Sequence, residues 1–363
     1  MAGKQGSELH MKPTPDAATR SSRPRLPSVF RTPEFGLIVG ISAVLALIYV
    51  LEPSHGFFGS ENRRTLIHNV ALYGVMAIGA AVVIISGGID LSVGAVAALA
   101  SVVCAKLMTE WLPGSTSVAK VPLPFGTLAA AITLTLLMGL AIGLLHAFMI
   151  NRVGLPPFIA TLATMAGLRS LAQILSGDQT MSLSAPRFAA LGDDPWITVP
   201  IFAVIAVAVA IVMRMTVLGR HLYALGGNEA AARLSGLSTR KLKGFAYGLA
   251  GMLSALGGML FSAKIGLGDS QLGVGYELYA ITAAVVGGCS LAGGVGTIPG
   301  TVLGLLLIRI IIMGTGLVVR NVDTTILGFH VAFQLNSTQL EGIVLGTVIV
   351  LAVALNQKFR GRR

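Results

Sequence analysis

The stretch Ser86-Gly87-Gly88-Ile89-Asp90-Leu91-Ser92-Val93-Gly94 interrupts a long apolar part of the chain and decides how that part folds. A double glycine followed at once by an acid breaks a helix. In a membrane such breaks are tolerated where the freed backbone is buried in protein or lines a water-filled cavity. We call residues 86–94 the first joint. It predicts a broken membrane segment inside a helical bundle.

The composition indicates the same environment. Hydrophobic residues make up 54% of the 363 residues and charged residues only 11%, with a mean hydropathy of +0.81. A soluble domain carries about a quarter charged residues, and the 45 glycines suit close packing of helices in lipid. The two cysteines, Cys104 and Cys289, have neither disulfide nor metal-site spacing. We therefore expect an all-α, polytopic integral membrane protein without a metal site.

Ten apolar runs have about the length of a membrane span, since a hydrocarbon core of about 30 Å needs about 20 helical residues. Several of them are glycine-rich or broken. A basic, disordered tail is expected over 1–34, a membrane domain over 35–356 and a second basic tail over 357–363. The expected spans are 35–51, 68–86, 89–109, 125–150, 156–176, 197–218, 244–264, 276–290, 296–318 and 339–356.

The net charge of +11 is distributed as in a membrane protein. With an even number of spans and both termini in the cytoplasm, 17 basic residues lie inside and seven outside, as the positive-inside rule requires. The basic clusters are not interleaved with aromatic residues, so nucleic acid is not an expected partner. Arg169 and Arg309 remain within spans, where facing lipid is costly. Packing inside the bundle is the favoured role for both, and contact with a substrate is the alternative.

Asp90 of the first joint has two possible roles. With Ser92 it could cap the following helix by accepting from unpaired backbone amides. It could instead be a carboxylate that couples transport to protons. A proton relay needs further members, and His146 is the only histidine well inside a span. We therefore favour capping.

A second glycine-rich break, residues 287–300, resembles the first, and we call it the second joint. Shifting the first joint by 200 positions superimposes four residue pairs, and broken segments at corresponding places in two halves point to a transport pathway. We expect the pathway to run near both joints. The pairs are Gly87/Gly287, Gly88/Gly288, Leu91/Leu291 and Gly94/Gly294.

The basic loop over 219–243, which we call the coupling segment, contains a short capped helix. Asn228 is a suitable N-cap, Glu229 opens the helix and Gly236 supplies a stop. A helix of eight residues is not stable alone in water. We therefore expect it to dock on a cytoplasmic partner.

These motifs resemble a known family. Glu229-Ala230-Ala231 with Gly236 seven residues on is similar to the coupling loop of permeases of ABC importers. The first joint, the stretch Leu155–Thr164 and the second joint resemble the ribose/xylose-type sugar permeases. The resemblance implies coupling residues Asn228, Glu229, Ala230, Ala231, Arg233 and Gly236. It implies translocation-path residues Gly87, Gly88, Asp90, Ser92, Gly94, Gly287, Gly288, Gly293, Gly294 and Gly296.

In such a family the chain is the translocation subunit of a monosaccharide importer in the bacterial inner membrane, and it has no catalytic residues. ATP and Mg²⁺ would bind a separate ATPase, in agreement with the lack of a Gly-x-x-x-x-Gly-Lys-Ser/Thr loop in this sequence. A sugar-binding protein and a second permease, identical or related, are the other expected partners, besides membrane lipid. The polar stretch 320–338 is longer than the family needs.

Three alternatives stay open at this stage. The solute could be a non-sugar or a signalling molecule carried by the same kind of importer. The chain could be an ion-coupled carrier, although Asp90 and His146 are few groups for that chemistry. A membrane-embedded enzyme is disfavoured, because no paired carboxylates or Ser–His arrangement lies within the spans.

Overall fold

The computed structural model describes residues 33–52, 54–116, 123–183, 185–318, 321–326 and 329–334, and a few positions between 342 and 350. Of the expected basic tail 1–34, residues 1–32 lie outside these residues and Pro33 and Glu34 already belong to the first helix, and the tail 357–363 lies outside them entirely. The helices are α1 Pro33–Leu51, α2 Ser60–Ile85, α3 Val93–Lys106, α4 Phe125–Phe148, α5 Pro157–Ser176, α6 Pro186–Asp193, α7 Pro195–Met215, α8 Val217–Gly227, α9 Glu229–Leu234, α10 Thr239–Ile265, α11 Tyr276–Val286 and α12 Ile298–Val318.

Eight of these helices are long and apolar enough to cross a membrane: α1, α2, α3, α4, α5, α7, α10 and α12. One π-helical turn extends α3 to Trp111, and another extends α4 to Val153. The helical membrane fold is therefore confirmed, but the number of ten spans is not. The tenth expected span, 339–356, lies mostly outside the described residues. The eighth is only the 11-residue helix α11, whose length of about 16 Å is half of the hydrocarbon thickness.

The centre of the bundle is formed by α2, α3 and α10, most of whose residues are buried. Helix α2 contacts α7, α10, α11 and α12, so it lies at the middle of the arrangement. In contrast, most residues of α4, α5 and α7 are half-buried or exposed. Apolar side chains on the outside of a soluble bundle would be unfavourable, but they suit helices that face lipid.

Glycines allow α4 and α10 to touch through their backbones. A Cβ atom at Gly143 would overlap the carbonyl oxygen of Tyr247, and one at Gly251 would overlap the carbonyl oxygen of Gly139. Where side chains are absent, helix axes approach closely and dispersion contacts replace the hydrophobic driving force that lipid lacks. This seam fixes the position of α4 on the central helix α10.

Both joints begin with the same backbone turn. At the end of α2, Gly87 N–H donates to Ile84 O and Gly88 N–H donates to Val83 O. At the end of α11, Gly288 and Cys289 make the equivalent two bonds. This pair of bonds defines a Schellman C-cap, whose central residue needs a positive φ that glycine adopts without strain. Gly87 has a φ of +83° and Gly288 a φ of +94°.

These turns correct the internal repeat. Gly87 is equivalent to Gly288, which lies 201 positions later rather than 200. The helices that follow start at Val93 and Ile298, which are 205 positions apart. The pairing of Gly94 with Gly294 is therefore wrong: Gly94 lies in the first turn of α3, whereas Gly294 lies in the longer loop of the second joint. A sequence shift without gaps could not reveal this insertion.

Two small sheets accompany the helices. Strand β1, Met181–Ser182, pairs antiparallel with β2, Leu267–Gly268. Strands β3, Asn321–Ile326, and β4, Phe329–Gln334, form an antiparallel hairpin in which Thr325 pairs with His330. The hairpin lies in the polar stretch 320–338, and it was not predicted.

Candidate functional site: the two joints and the coupling segment

The first joint is organised around Asp90. Its Oδ1 atom accepts from the backbone N–H of Ser92 at 2.8 Å and from the Ser92 hydroxyl at 2.6 Å. Both residues are buried. Ser92 is the residue that precedes α3, but its side chain makes no capping bond to the helix. The capping prediction is thus wrong in detail, because Asp90 stabilises the turn leading into α3 rather than the amides of the helix.

The structure brings Asp90 close to His146 of α4 and Tyr247 of α10. The Asp90 carboxylate interacts electrostatically with both side chains. The imidazole Nε2 of His146 lies 2.7 Å from the Thr164 hydroxyl, and the Tyr247 hydroxyl donates to Ile89 O at 3.4 Å. Within the described part of the chain, no group of three His, Cys, Asp or Glu side chains could hold a metal ion.

Sequence reasoning treated Asp90 and His146 as isolated groups and missed this polar cluster. The two residues are 56 positions apart, and no local pattern connects them. Only the packing of α4, α5 and α10 around the first joint brings them together. Buried and half-buried polar groups from three helices thus gather beside the break between α2 and α3.

The glycines of the two joints allow neighbouring segments to approach closely. Gly87, Gly293 and Gly294 lie together, and Gly294 N–H donates to Ile85 O at 2.8 Å. The remaining joint glycines contact other partners: a Cβ atom at Gly88 would meet Tyr247, at Gly94 the loop at Gly273, at Gly287 the start of α12 at Gly300, and at Gly296 the side chain of Cys289.

The coupling segment contains two helices, α8 and α9. Asn228 Oδ1 accepts from Ala231 N–H at 2.9 Å, so the expected N-cap of α9 is present. The helix ends at Leu234, two residues earlier than predicted, and Gly236 follows with a φ of +82°. The helix has six residues rather than eight because the chain already turns at Ser235.

An ion-pair network holds α9 against α10. The Glu229 carboxylate accepts from Lys243 Nζ at 2.8 Å and from Arg233 at 3.2 Å. Partial burial disfavours the charge on Glu229, but the hydrogen bonds and charges of Lys243 and Arg233 outweigh it and hold the pKa of Glu229 below its ordinary value. Lys243 was not among the predicted site residues, since its partner lies 14 positions away.

The outer face of α9 is small and apolar. Ala230, Ala231, Arg233 and Leu234 are exposed, and Leu234 is 90% exposed. Ala232 on the opposite side is buried. Ala230, Ala231 and Leu234 together give α9 an apolar face toward solvent.

The two arginines within spans are accommodated inside the bundle. Arg169 donates to Ser270 O at 2.9 Å and to Leu272 O at 2.6 Å. The Arg309 guanidinium lies 3.6 Å from the centre of the Tyr73 ring and 4.8 Å from that of Tyr279. Carbonyl and aromatic partners offset the cost of removing these cations from water. The packing role is therefore supported for both residues.

A bundle of long apolar helices with two broken segments and a short, anchored, exposed helix defines a multi-pass membrane permease. Residues 63–353 match the family model described as the permease component of branched-chain amino acid transport systems. The chain therefore belongs to this family of permeases. As subunits of importers, its members are not enzymes themselves.

Curated relatives cover most of the chain. It is 32% identical to the ribose import permease protein RbsC of Escherichia coli over 88% of this chain and 92% of that protein. It is 33% identical to RbsC of Bacillus subtilis over 90% and 93%. It is 34% identical to the galactose/methyl galactoside import permease protein MglC of Escherichia coli over 89% and 94%. No solved structure gives a significant match. The resemblance inferred from the sequence motifs is confirmed.

Proposed function

We propose that the chain is the translocation subunit of an ATP-driven importer for a monosaccharide. The names of the ribose and galactose permeases support the substrate class, and their match extends over nearly the whole chain. The observation that carries the proposal is helix α9: it is capped by Asn228, anchored through Glu229 and presents Leu234 to solvent. A helix of this kind can transmit force from a partner only if it is held firmly on its own protein.

The proposed partner of α9 is a separate cytoplasmic ATPase that binds ATP and Mg²⁺. The exposed alanines allow close approach, Leu234 supplies an apolar anchor, and Arg233 at the edge suits a polar rim with acidic groups. A second permease copy or a related permease would complete the path, and a sugar-binding protein would deliver the solute. Both termini and the coupling segment would lie in the cytoplasm of a bacterial cell.

The proposed path follows the joints. Broken segments place backbone carbonyls and amides inside the bundle, where a sugar can exchange its hydrogen bonds with water for bonds to protein. Asp90, Ser92 and the joint glycines Gly87 and Gly88 are the proposed path residues of the first joint. Gly287, Gly288, Gly293, Gly294 and Gly296 are those of the second, and Gly94 lies where α3 leaves the first joint. Alternating access would rock the helices about these points.

The coupling assignment is tested by replacing Gly236 with valine. A β-branched residue is strained at a φ of +82°, while a Cβ atom there would meet no other atom, so the variant should fold. In proteoliposomes with the ATPase and the binding protein, we expect ATP hydrolysis to persist and uptake of labelled ribose or galactose to fall about tenfold.

Gly244→Ala is the matched control, because Gly244 lies in α10 with open space and an ordinary helical φ. The control should transport like the unsubstituted chain. Normal uptake by Gly236→Val would show that the segment does not couple the two reactions. Competition by unlabelled ribose, galactose and a non-sugar solute separates the proposed substrate class from the alternative.

The buried pair of Asp90 and His146 is the one observation that favours an ion-coupled carrier. The same uptake assay includes an arm in which the ATPase partner cannot hydrolyse ATP. Uptake that persists there and follows a proton gradient would favour the carrier and overturn the proposal. Loss of uptake in that arm is the expected result.

A further inference from the structure

The last turn of α8 is wedged between the two joints. A Cβ atom at Gly226 would overlap Ile85 O, at the start of the first joint. It would also lie 2.6 Å from Gly294 N in the second joint and 3.0 Å from Gly87 N. Three backbone segments therefore meet at one point with no side chain between them. Segments packed this closely cannot slide past one another without breaking the contact.

Hydrogen bonds tie the same three segments together. Gly294 N–H donates to Ile85 O at 2.8 Å, which joins the second joint directly to the end of α2. One turn before Gly226, the Tyr223 hydroxyl donates to Gly296 O at 2.8 Å, which joins α8 to the second joint. The side chain of Tyr223 is thus a specific link between the coupling segment and the broken helix.

The contact at Gly226 lies close to α9 along the chain. Gly226 lies only two residues before Asn228, the N-cap of α9. A displacement of α9 is transmitted through this short connection to the end of α8. From there it reaches both joints at once, because each of them touches Gly226.

We propose that the last turn of α8, residues 223–226, is the element that moves both joints together when α9 is displaced. Gly226 and Tyr223 are its positioning residues. The inference rests on the proposed function and goes beyond it by assigning the element that couples the movements of the first and second joints. It also explains why Gly226 is glycine although its backbone conformation does not require glycine.

The test uses three variants of the purified permease reconstituted with its ATPase and binding protein. Tyr223→Phe removes one hydrogen bond and keeps the ring. Gly226→Ala inserts a methyl group into the contact. Gly227→Ala is the matched control, since a Cβ atom at this neighbouring position meets open space. ATP hydrolysis and sugar uptake are measured for each, together with thermal unfolding to detect loss of folding.

We expect Gly227→Ala to retain the uptake per ATP of the unsubstituted chain. Tyr223→Phe should fold normally and lose about fivefold in uptake per ATP, because hydrolysis continues while the second joint, held to α8 only by the backbone contact at Gly226, follows it less closely. Gly226→Ala should lose more. If Gly226→Ala fails to fold, the result for Tyr223→Phe alone tests the inference. Unchanged uptake per ATP in Tyr223→Phe would overturn the inference while leaving the proposed function intact.

Hydrogen exchange gives a second readout that needs no transport. Trapping the ATPase with a non-hydrolysable ATP analogue should change the exchange of residues 86–92 and 287–297 together in the unsubstituted complex. In Tyr223→Phe the second region should respond less than it does in the unsubstituted complex, while the response of the first region is kept. A response of one joint alone in the unsubstituted complex would contradict the inference. An unsubstituted complex that neither hydrolyses ATP nor transports would overturn both proposals.

Discussion

At the scale of single residues, charge decides how firmly α9 is anchored. Glu229 accepts from Lys243 of α10, and replacing Lys243 by methionine keeps the length of the side chain while removing this ion pair. We expect faster amide hydrogen exchange in α9 at neutral pH and little change in the unfolding temperature, because a partly exposed ion pair contributes little to global stability.

The pH dependence of this effect has a definite sign. The pKa of Glu229 lies below its ordinary value of 4.5, so the anchor is complete above that pH and is lost as the pH falls through the lowered pKa. The difference between Lys243→Met and the unsubstituted chain should therefore disappear in acid. Lys241→Met, at an exposed lysine of the same helix turn, is the control and should exchange normally. An equal effect in both variants would contradict the prediction.

Local chemistry is what sequence reasoning predicted well at this scale. The cap formed by Asn228 and the stop near Gly236 depend on residues a few positions apart, so the motif contains them. Lys243, Tyr223 and Gly226 were missed because their partners come from other helices. The same reason explains why His146 was considered alone, since its partner Thr164 comes from α5.

At the scale of elements, the seam between α4 and α10 depends on glycine. A methyl group at Gly143 would overlap the carbonyl oxygen of Tyr247 and lie 2.7 Å and 2.8 Å from the next two backbone atoms. Gly143→Ala is expected to cost about 1–3 kcal/mol, as overpacking of a tight core does. The loss should appear as a lower unfolding temperature in detergent.

Gly126→Ala is the control for this seam. Gly126 lies in the first turn of the same helix α4, and a Cβ atom there meets no other atom. Because alanine also favours helix more than glycine does, this variant should be as stable as the unsubstituted chain or slightly more so. Equal destabilisation by both variants would indicate that helix propensity, rather than contact between α4 and α10, controls stability.

The long helices were predictable from the sequence because apolar residues continue along each of them. Each of the nine expected spans that lie within the described residues contains a helix, since long apolar runs have few other structures in lipid. The short length of α11 was not evident, because the apolar residues continue past Val286 into the second joint. The hairpin β3–β4 was missed although Val322, Ile326 and Val331 are typical strand residues, because the stretch was interpreted only as a link between two spans.

At the scale of the whole molecule, the two joints are parts of one structure rather than two separate hinges. Helix α2 ends at the first joint and contacts both α11 and α12, which flank the second. The junction at Gly226 adds the coupling segment to the same centre. The sequence indicated both joints, but their contact depends on the packing of four segments that are far apart in the chain.

The aromatic contact of Arg309 fastens α12 to α2 and α11 and supplies the last prediction. Its guanidinium stacks on Tyr73 of α2 and approaches Tyr279 of α11, and Arg309 is 7% exposed. Methionine at this position would remove the cost of burying a charge and keep the apolar stem. Lysine would keep the charge but lose the planar group that stacks on the ring.

We therefore expect Arg309→Lys to be less stable than Arg309→Met, with a loss of about 2 kcal/mol or more, as for a desolvated cation–π contact. The order of these unfolding temperatures in detergent is the measurement. If Arg309→Lys were as stable as the unsubstituted chain and Arg309→Met were not, the positive charge rather than the stacking would matter. Arg309 would then have to be considered as a contact for the transported solute.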